Sequence, residues 1–334
     1  MSGIEEALSR LGTKLAGPGA RVENLVRLSG GASMETWAFS LVGSDGRQEL
    51  ILRRRPGSVA AERGEDEPGN ALWVEAALIK AAGADGAPVP PVPHVCVTED
   101  GLGEAYVMGR IEGETLGRKI NFDAKFDAVR PKLARQCGET LARIHRVAPP
   151  PGAPLQVSTA LEELDKYEER YRISGARRPI LELAFRHLRE RAPAPVEPVL
   201  VHGDFRNGNL MFDPEKGVAA VLDWELAHLG DPAEDLSWLC VGAWRFGRPE
   251  KPVGGFGDYA DLLDGYAAAG GKPISLERVL YWQAIGSLKW GVMCLGMYMS
   301  WVAGGADSSV ERAMIGRRVS ENEIDLVNIL ERGL

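Results

Sequence analysis

Val199-Leu200-Val201-His202-Gly203-Asp204-Phe205-Arg206-Asn207-Gly208-Asn209-Leu210-Met211-Phe212 is the stretch whose reading decides the fold. Two short apolar runs rich in β-branched and aromatic residues flank a polar loop that carries an Asp and an Asn. A further apolar run, Val218 to Leu222, ends in Asp223-Trp224-Glu225. The layout is strand, loop with Asp204 and Asn209, strand, then a strand that delivers Asp223 at its end. His-Gly-Asp alone would be a weak signal. The loop, its spacing and the flanking strands together make the pattern specific.

This pattern resembles the aminoglycoside phosphotransferase and choline kinase group of kinase-like enzymes, including the branch sometimes linked to acyl-CoA dehydrogenases. In that group an HGDxxxxN loop stands where protein kinases have HRDxxxxN. The resemblance implies a reaction, the transfer of the γ-phosphoryl group of ATP to a hydroxyl of a small molecule with Mg²⁺. It implies Asp204 as the catalytic base and Asn209 and Asp223 as metal ligands. His202 then braces the loop. Further on, Gly230-Asp231-Pro232 and Asp235-Leu236 match the group as well. Asp231 suits a helix N-terminus with Pro232 in the first helical position, and Asp235 suits an anchor for backbone N–H groups of the loop. His145, at the end of an apolar-periodic helix expected over Asp127 to Arg146, reads as a structural bridge to the same region.

Upstream, residues 4–15 read as a short amphipathic helix. Strands are then expected over Arg21–Leu28, Trp37–Val42 and Glu49–Arg54, separated by small-residue and glycine turns. The first turn contains Ser29, Gly30, Gly31 and Ser33, and in the group it would lie over the phosphates. Alternation places Ile51 and Arg53 on one face of the third strand. The group usually has a lysine there, so Arg53 is expected to meet the phosphates with a planar fork instead of a point charge. Arg54 and Arg55 compete for that role. Asn70 could cap a helix over residues 71–82, on which Glu75 falls where the group has the glutamate that steadies the strand-three base. A proline-rich extended run, 87–93, enters a strand at His94. A further strand from Glu104 leads to a crossing at Met108, Gly109 and Ile111, against whose backbone the adenine would sit.

The bulk composition fits this picture. The 334 residues are 45% hydrophobic and 26% charged, with a net charge of −8. That length allows two lobes with their own cores, and the acidic balance argues against nucleic acid as a partner. Cys96, Cys137, Cys240 and Cys294 are scattered, without CxxC or a Cys/His cluster, which suits a reducing cytoplasm. The N-terminus lacks the plan of a signal peptide. Ala284–Ala303, with Lys289 near its middle, reads as a buried helix and not as a membrane span.

The expected fold is therefore α+β, a two-lobed protein kinase-like fold. A small β-rich N-lobe, 1–108, covers the nucleotide, and a larger, mostly helical C-lobe, 109–334, carries catalysis and the substrate. No dense acidic cluster suited to a polycation is evident. The branch resemblance therefore adds a hydroxyacyl-CoA or other metabolic alcohol as an acceptor, with a functional link to acyl-CoA metabolism. A degenerate kinase that binds nucleotide without turnover is the alternative suggested by Arg53.

Overall fold

The computed structural model describes residues 2–28, 34–56, 69–304 and 309–332. The chain begins with α1 (Ser2–Ala16), β1 (Arg21–Leu28), β2 (Glu35–Gly43), β3 (Gly46–Arg54), α2 (Leu72–Ala84), β4 (His94–Val95) and β5 (Ala105–Gly109). These strands form one antiparallel sheet of five, in the order β1-β2-β3-β5-β4. The two faces of β3 go to different places because side chains alternate. Leu50 and Leu52 pack with Trp37, Phe39 and Leu41 under Ala7, Leu8 and Leu11 of α1. Arg53, on the other face, meets Glu75 of α2.

The helical lobe follows, with α3 (Gly117–Phe122), α4 (Leu133–Ile144), α5 (Ala160–Ile173) and α6 (Pro179–Glu190). Next come β6 (Val199–Val201), β7 (Leu210–Asp213), β8 (Gly217–Val221), β9 (His228–Gly230) and α7 (Pro232–Trp238). The chain closes with α8 (Tyr259–Ala268), α9 (Leu276–Val302), α10 (Val310–Gly316) and α11 (Val319–Arg332). This is the expected two-lobed, kinase-like architecture. Its main core runs from α2 through Tyr106 to Phe212, Val221 and Trp224, and on to α4 and α8, so one apolar body carries both lobes. Glu114, in the segment that follows β5, exchanges both backbone hydrogen bonds with Phe212 at 2.9 Å each.

Three local expectations are corrected. Asn70 does not cap α2. Ala71 occupies that position without a side-chain bond, and the Asn70 amide donates instead to Trp224 O (3.3 Å) and Ala227 O (2.8 Å). The single helix expected over Asp127 to Arg146 is α only over Leu133–Ile144, and short 3₁₀ turns precede it where Pro131 interrupts the backbone donors. The strand expected from His94 spans only two residues, because Asp100 folds the next turn back by accepting from Val97 N (2.9 Å) and His94 Nε2 (2.7 Å). Among the described residues, no helix is long and apolar enough to cross a membrane. α9 is instead a core helix, and Lys289 lies buried within it.

Candidate active site

The loop between β6 and β7 is built around a buried carboxylate. Asp235, on α7, accepts from His202 N (2.7 Å) and Gly203 N (2.9 Å). His145 Nε2 meets the same carboxylate at 3.1 Å. Burial would raise the Asp235 pKa, yet these partners hold it below the usual carboxylate range. His202 is itself buried, and its Nε2 meets Leu222 O at 3.0 Å, which ties the loop to the end of β8. Gly203 takes φ +77°, and a Cβ there would press on Leu226 O, so the turn accepts only glycine. The bridging role of His145, the bracing role of His202 and the anchoring role of Asp235 are thus visible as contacts.

That anchor fixes Asp204. Its Oδ2 accepts from Asn209 Nδ2 at 2.6 Å, and the same amide reaches Asp204 O at 3.0 Å. Its Oδ1 accepts from Arg206 Nε (2.9 Å) and Trp238 Nε1 (2.7 Å). β7 pairs with β8, Leu210 opposite Val221, and Leu222 N donates to Asn209 O at 2.8 Å. The hairpin therefore brings Asn209 beside Asp223, although 13 residues lie between them. Asp223 adopts φ +64°, a left-handed conformation that side chains rarely take, and this turns it away from the strand direction.

Asp223 closes the site from one lobe and Arg53 from the other. Arg53 Nη2 donates to Asp223 Oδ1 at 2.6 Å and lies 3.5 Å from Glu225 Oε2. Its Nε is 3.2 Å from Glu75 Oε2. Burial would lower the Arg53 pKa, but these three carboxylates hold it above its ordinary value. Glu75 has no exposed surface. Burial pushes it up to about 8 against the attraction of Arg53, and Asp223 and Glu225 add repulsion. Tyr106 donates to Glu75 Oε2 at 3.3 Å. Of the competing arginines, Arg54 turns to Glu35 (3.6 Å) and Arg55 to Glu104 (2.8 Å).

The structure thus gathers Asp204, Asn209, Asp223, Arg53 and Glu75 between the lobes. Met108 and Gly109 end β5 and Ile111 follows in the crossing segment, with Gly109 N bonded to Pro91 O at 2.8 Å. Ser29, Gly30, Gly31 and Ser33 lie outside the described residues. Two oxygens suit a hard cation. Asn209 donates through its nitrogen, which leaves Oδ1 without a partner among the described residues, and Asp223 Oδ2 likewise has none. Arg206, Glu225, Trp238 and Lys289 were not singled out from the sequence. Trp238 had a signal, since it lies one helical turn from Asp235 and so shares its face.

The model of the phosphotransferase enzyme family matches residues 24–271. Among solved structures, a protein of Ralstonia eutropha JMP134 named as a candidate aminoglycoside phosphotransferase superposes with a TM-score of 0.76 at 23% identity, covering 98% of both chains. A choline/ethanolamine kinase family protein of Mesorhizobium loti gives 0.61 at 19% identity, covering 97% of this chain and 95% of that one. These likenesses show the fold. Among curated relatives, acyl-CoA dehydrogenase family member 10 of Mus musculus is 28% identical over 244 residues, 69% of this chain and 21% of that protein. Family member 11 of Homo sapiens is 25% identical over 304 residues, 86% of this chain and 36% of that protein. The chain therefore spans well under half the length of these relatives. The match runs over most of the chain and agrees with this geometry, and the chain belongs to the phosphotransferase enzyme family.

Proposed function

We propose that the donor is ATP with Mg²⁺ and that Asp204 is the catalytic base. The observation that carries this reading is the hydrogen-bonding of Asp204 and Asn209. Asn209 holds the base through its nitrogen and keeps its oxygen for a cation, and Asp223 keeps Oδ2 for the same purpose. Asp204 orients the acceptor hydroxyl and takes its proton as the acceptor oxygen bonds to the γ-phosphorus and the bond to the β-phosphate oxygen breaks. Mg²⁺ held by Asn209 and Asp223 would neutralise phosphate charge. Arg53, steadied by Glu75, meets the phosphates once its contact with Asp223 gives way. The backbone from Met108 through Gly109 to Ile111 receives the adenine. The nucleotide-covering lobe is then 1–108, and the catalytic and substrate lobe is 109–334. Four free thiols suit a cytoplasmic setting.

The acceptor reading is a metabolic alcohol, with a hydroxyacyl-CoA as first candidate. Two observations support it over a polycationic antibiotic. The curated relatives carry acyl-CoA dehydrogenase names. Beside the base stand Arg206, a cation with its guanidinium 4.5 Å from the Trp244 ring centroid, and Trp238. A nucleotide-binding protein without turnover is the remaining alternative, and the complete Asp204, Asn209 and Asp223 set weighs against it. The test is a phosphorylated-product assay with Mg²⁺ and ATP across hydroxyacyl-CoA, hydroxy acid, choline and aminoglycoside acceptors. Product on the thioester is expected, and product on the aminoglycoside alone would overturn the acceptor reading.

A further inference from the structure

Behind Asp204 lies a buried charged network that the chemistry above does not use. Lys289, in the middle of α9, places its ammonium 5.1 Å from the Trp238 ring centroid and 5.6 Å from that of Tyr167. It pairs with Glu163 Oε2 (3.6 Å) and Glu234 Oε1 (3.7 Å). Glu234 Oε2 in turn meets His228 Nε2 at 3.1 Å. Burial alone would lower the Lys289 pKa, but the charges of Tyr167, Glu163, Glu234 and Asp204 push it upward. An apolar side chain would fill this position in a core helix at less desolvation cost. The ammonium instead sits on the indole whose N–H reaches the base.

We propose that Trp238 is a positioning residue for Asp204 and that Lys289 holds Trp238 in that position. The inference rests on Asp204 being the base. A carboxylate has two oxygens, and only one can face the acceptor. Oδ1 takes two donors from behind, Trp238 Nε1 at 2.7 Å and Arg206 Nε at 2.9 Å. Oδ2 takes only the Asn209 amide, so Oδ2 is the oxygen that acts. An indole N–H donates and cannot accept, so its bond fixes the carboxylate rotamer in one sense only. The ring is confined, because Trp244 packs edge-on at 5.5 Å between centroids and Gly286 of α9 comes close to its six-membered ring. Lys289 adds a cation on the π-face, a favourable contact that is strengthened by desolvation.

The test is Trp238→Phe, which keeps an aromatic ring under the ammonium and removes the indole N–H. Turnover should fall about tenfold to a hundredfold, the scale of a slightly misplaced reacting group, while KM for Mg²⁺·ATP and for the acceptor stay within about twofold. Lys289→Met should lose part of that activity, and the double variant should be no worse than Trp238→Phe. A second readout needs no turnover. The indole N–H resonance of Trp238, assigned by its loss in Trp238→Phe, should shift in both Asp204→Asn and Lys289→Met. Unchanged turnover in Trp238→Phe, or a resonance indifferent to Asp204→Asn, overturns the proposal. If the wild-type protein phosphorylates no acceptor, the proposed function fails instead, and the resonance still reports on the contact.

Discussion

Asp204 and Asp223 are both carboxylates at the lobe junction, but what holds them differs. Asp204 is held on both oxygens by neutral or cationic donors within the helical lobe, whereas Asp223 is held on one oxygen by Arg53 across the lobes. Asp204→Asn should therefore leave nucleotide affinity almost intact and cost ~10²–10⁴-fold in turnover. Asp223→Asn should weaken metal binding, with activity partly restored by raised Mg²⁺ or Mn²⁺. Turnover measured against metal concentration distinguishes them, and metal rescue of Asp204→Asn alone would reverse the assigned roles. Arg53 carries a second prediction. Arg53→Ala removes the guanidinium that Glu75, Asp223 and Glu225 share, so it should lower stability as well as turnover. Arg54 faces away from the site toward Glu35, so Arg54→Ala should affect turnover less. Chemical denaturation and product assays on the two variants check this, and the reverse order of turnover loss would show the assignment to be wrong.

At the scale of the element, the loop between β6 and β7 depends on α7. Asp235 satisfies two backbone donors of the loop and receives His145 from the end of α4, so three segments meet on one carboxylate. Asp235→Ala leaves those two N–H groups unsatisfied and should cost about 2–5 kcal/mol. Amide exchange at His202 and Gly203 should accelerate more than exchange in β2 and β3, and uniform acceleration would mean that α7 does not act on this loop in particular. The pairing of α4 with α8 is a close approach of backbones. A Cβ at Gly138 would run into Leu262 O, so Gly138→Val should lower the melting temperature without touching the site directly.

At the scale of the molecule, stability should depend on pH through the charged network behind the site. Burial would lower His228, but the Glu234 carboxylate raises its pKa from 6.5 to about 9. The folded state therefore keeps a proton that the unfolded chain releases. Its stabilising contribution, at most about 3 kcal/mol, is complete below about pH 6.5 and is lost as pH rises through about 9. Denaturation at both limits should show the loss in the wild-type protein and little of it in His228→Gln, and equal slopes would remove His228 from the account. Ligand linkage acts on the same quantity. Mg²⁺·ATP at millimolar concentration should raise the melting temperature, because it binds the folded state alone. A folded sample without that shift would contradict the nucleotide reading.

Local patterns sufficed for much of this protein. The loop carrying Asp204 and Asn209, the strand that ends at Asp223, the alternation that separates Arg53 from Arg54 and the Asp231-Pro232 helix start are all set by neighbours a few residues apart. Strand period, turn chemistry and capping act over that range, so they can be read from the chain. Contacts across long separations could not. Asn70 looked like a cap and instead ties α2 to the segment after Asp223. Lys289 counted only as a charge against a membrane span, and packing sets it on Trp238. Arg53 serves three carboxylates from two lobes, and burial raises Glu75 among them. These arrangements depend on burial and on which distant side chains share a low-dielectric interior, and only the folded chain brings those groups together.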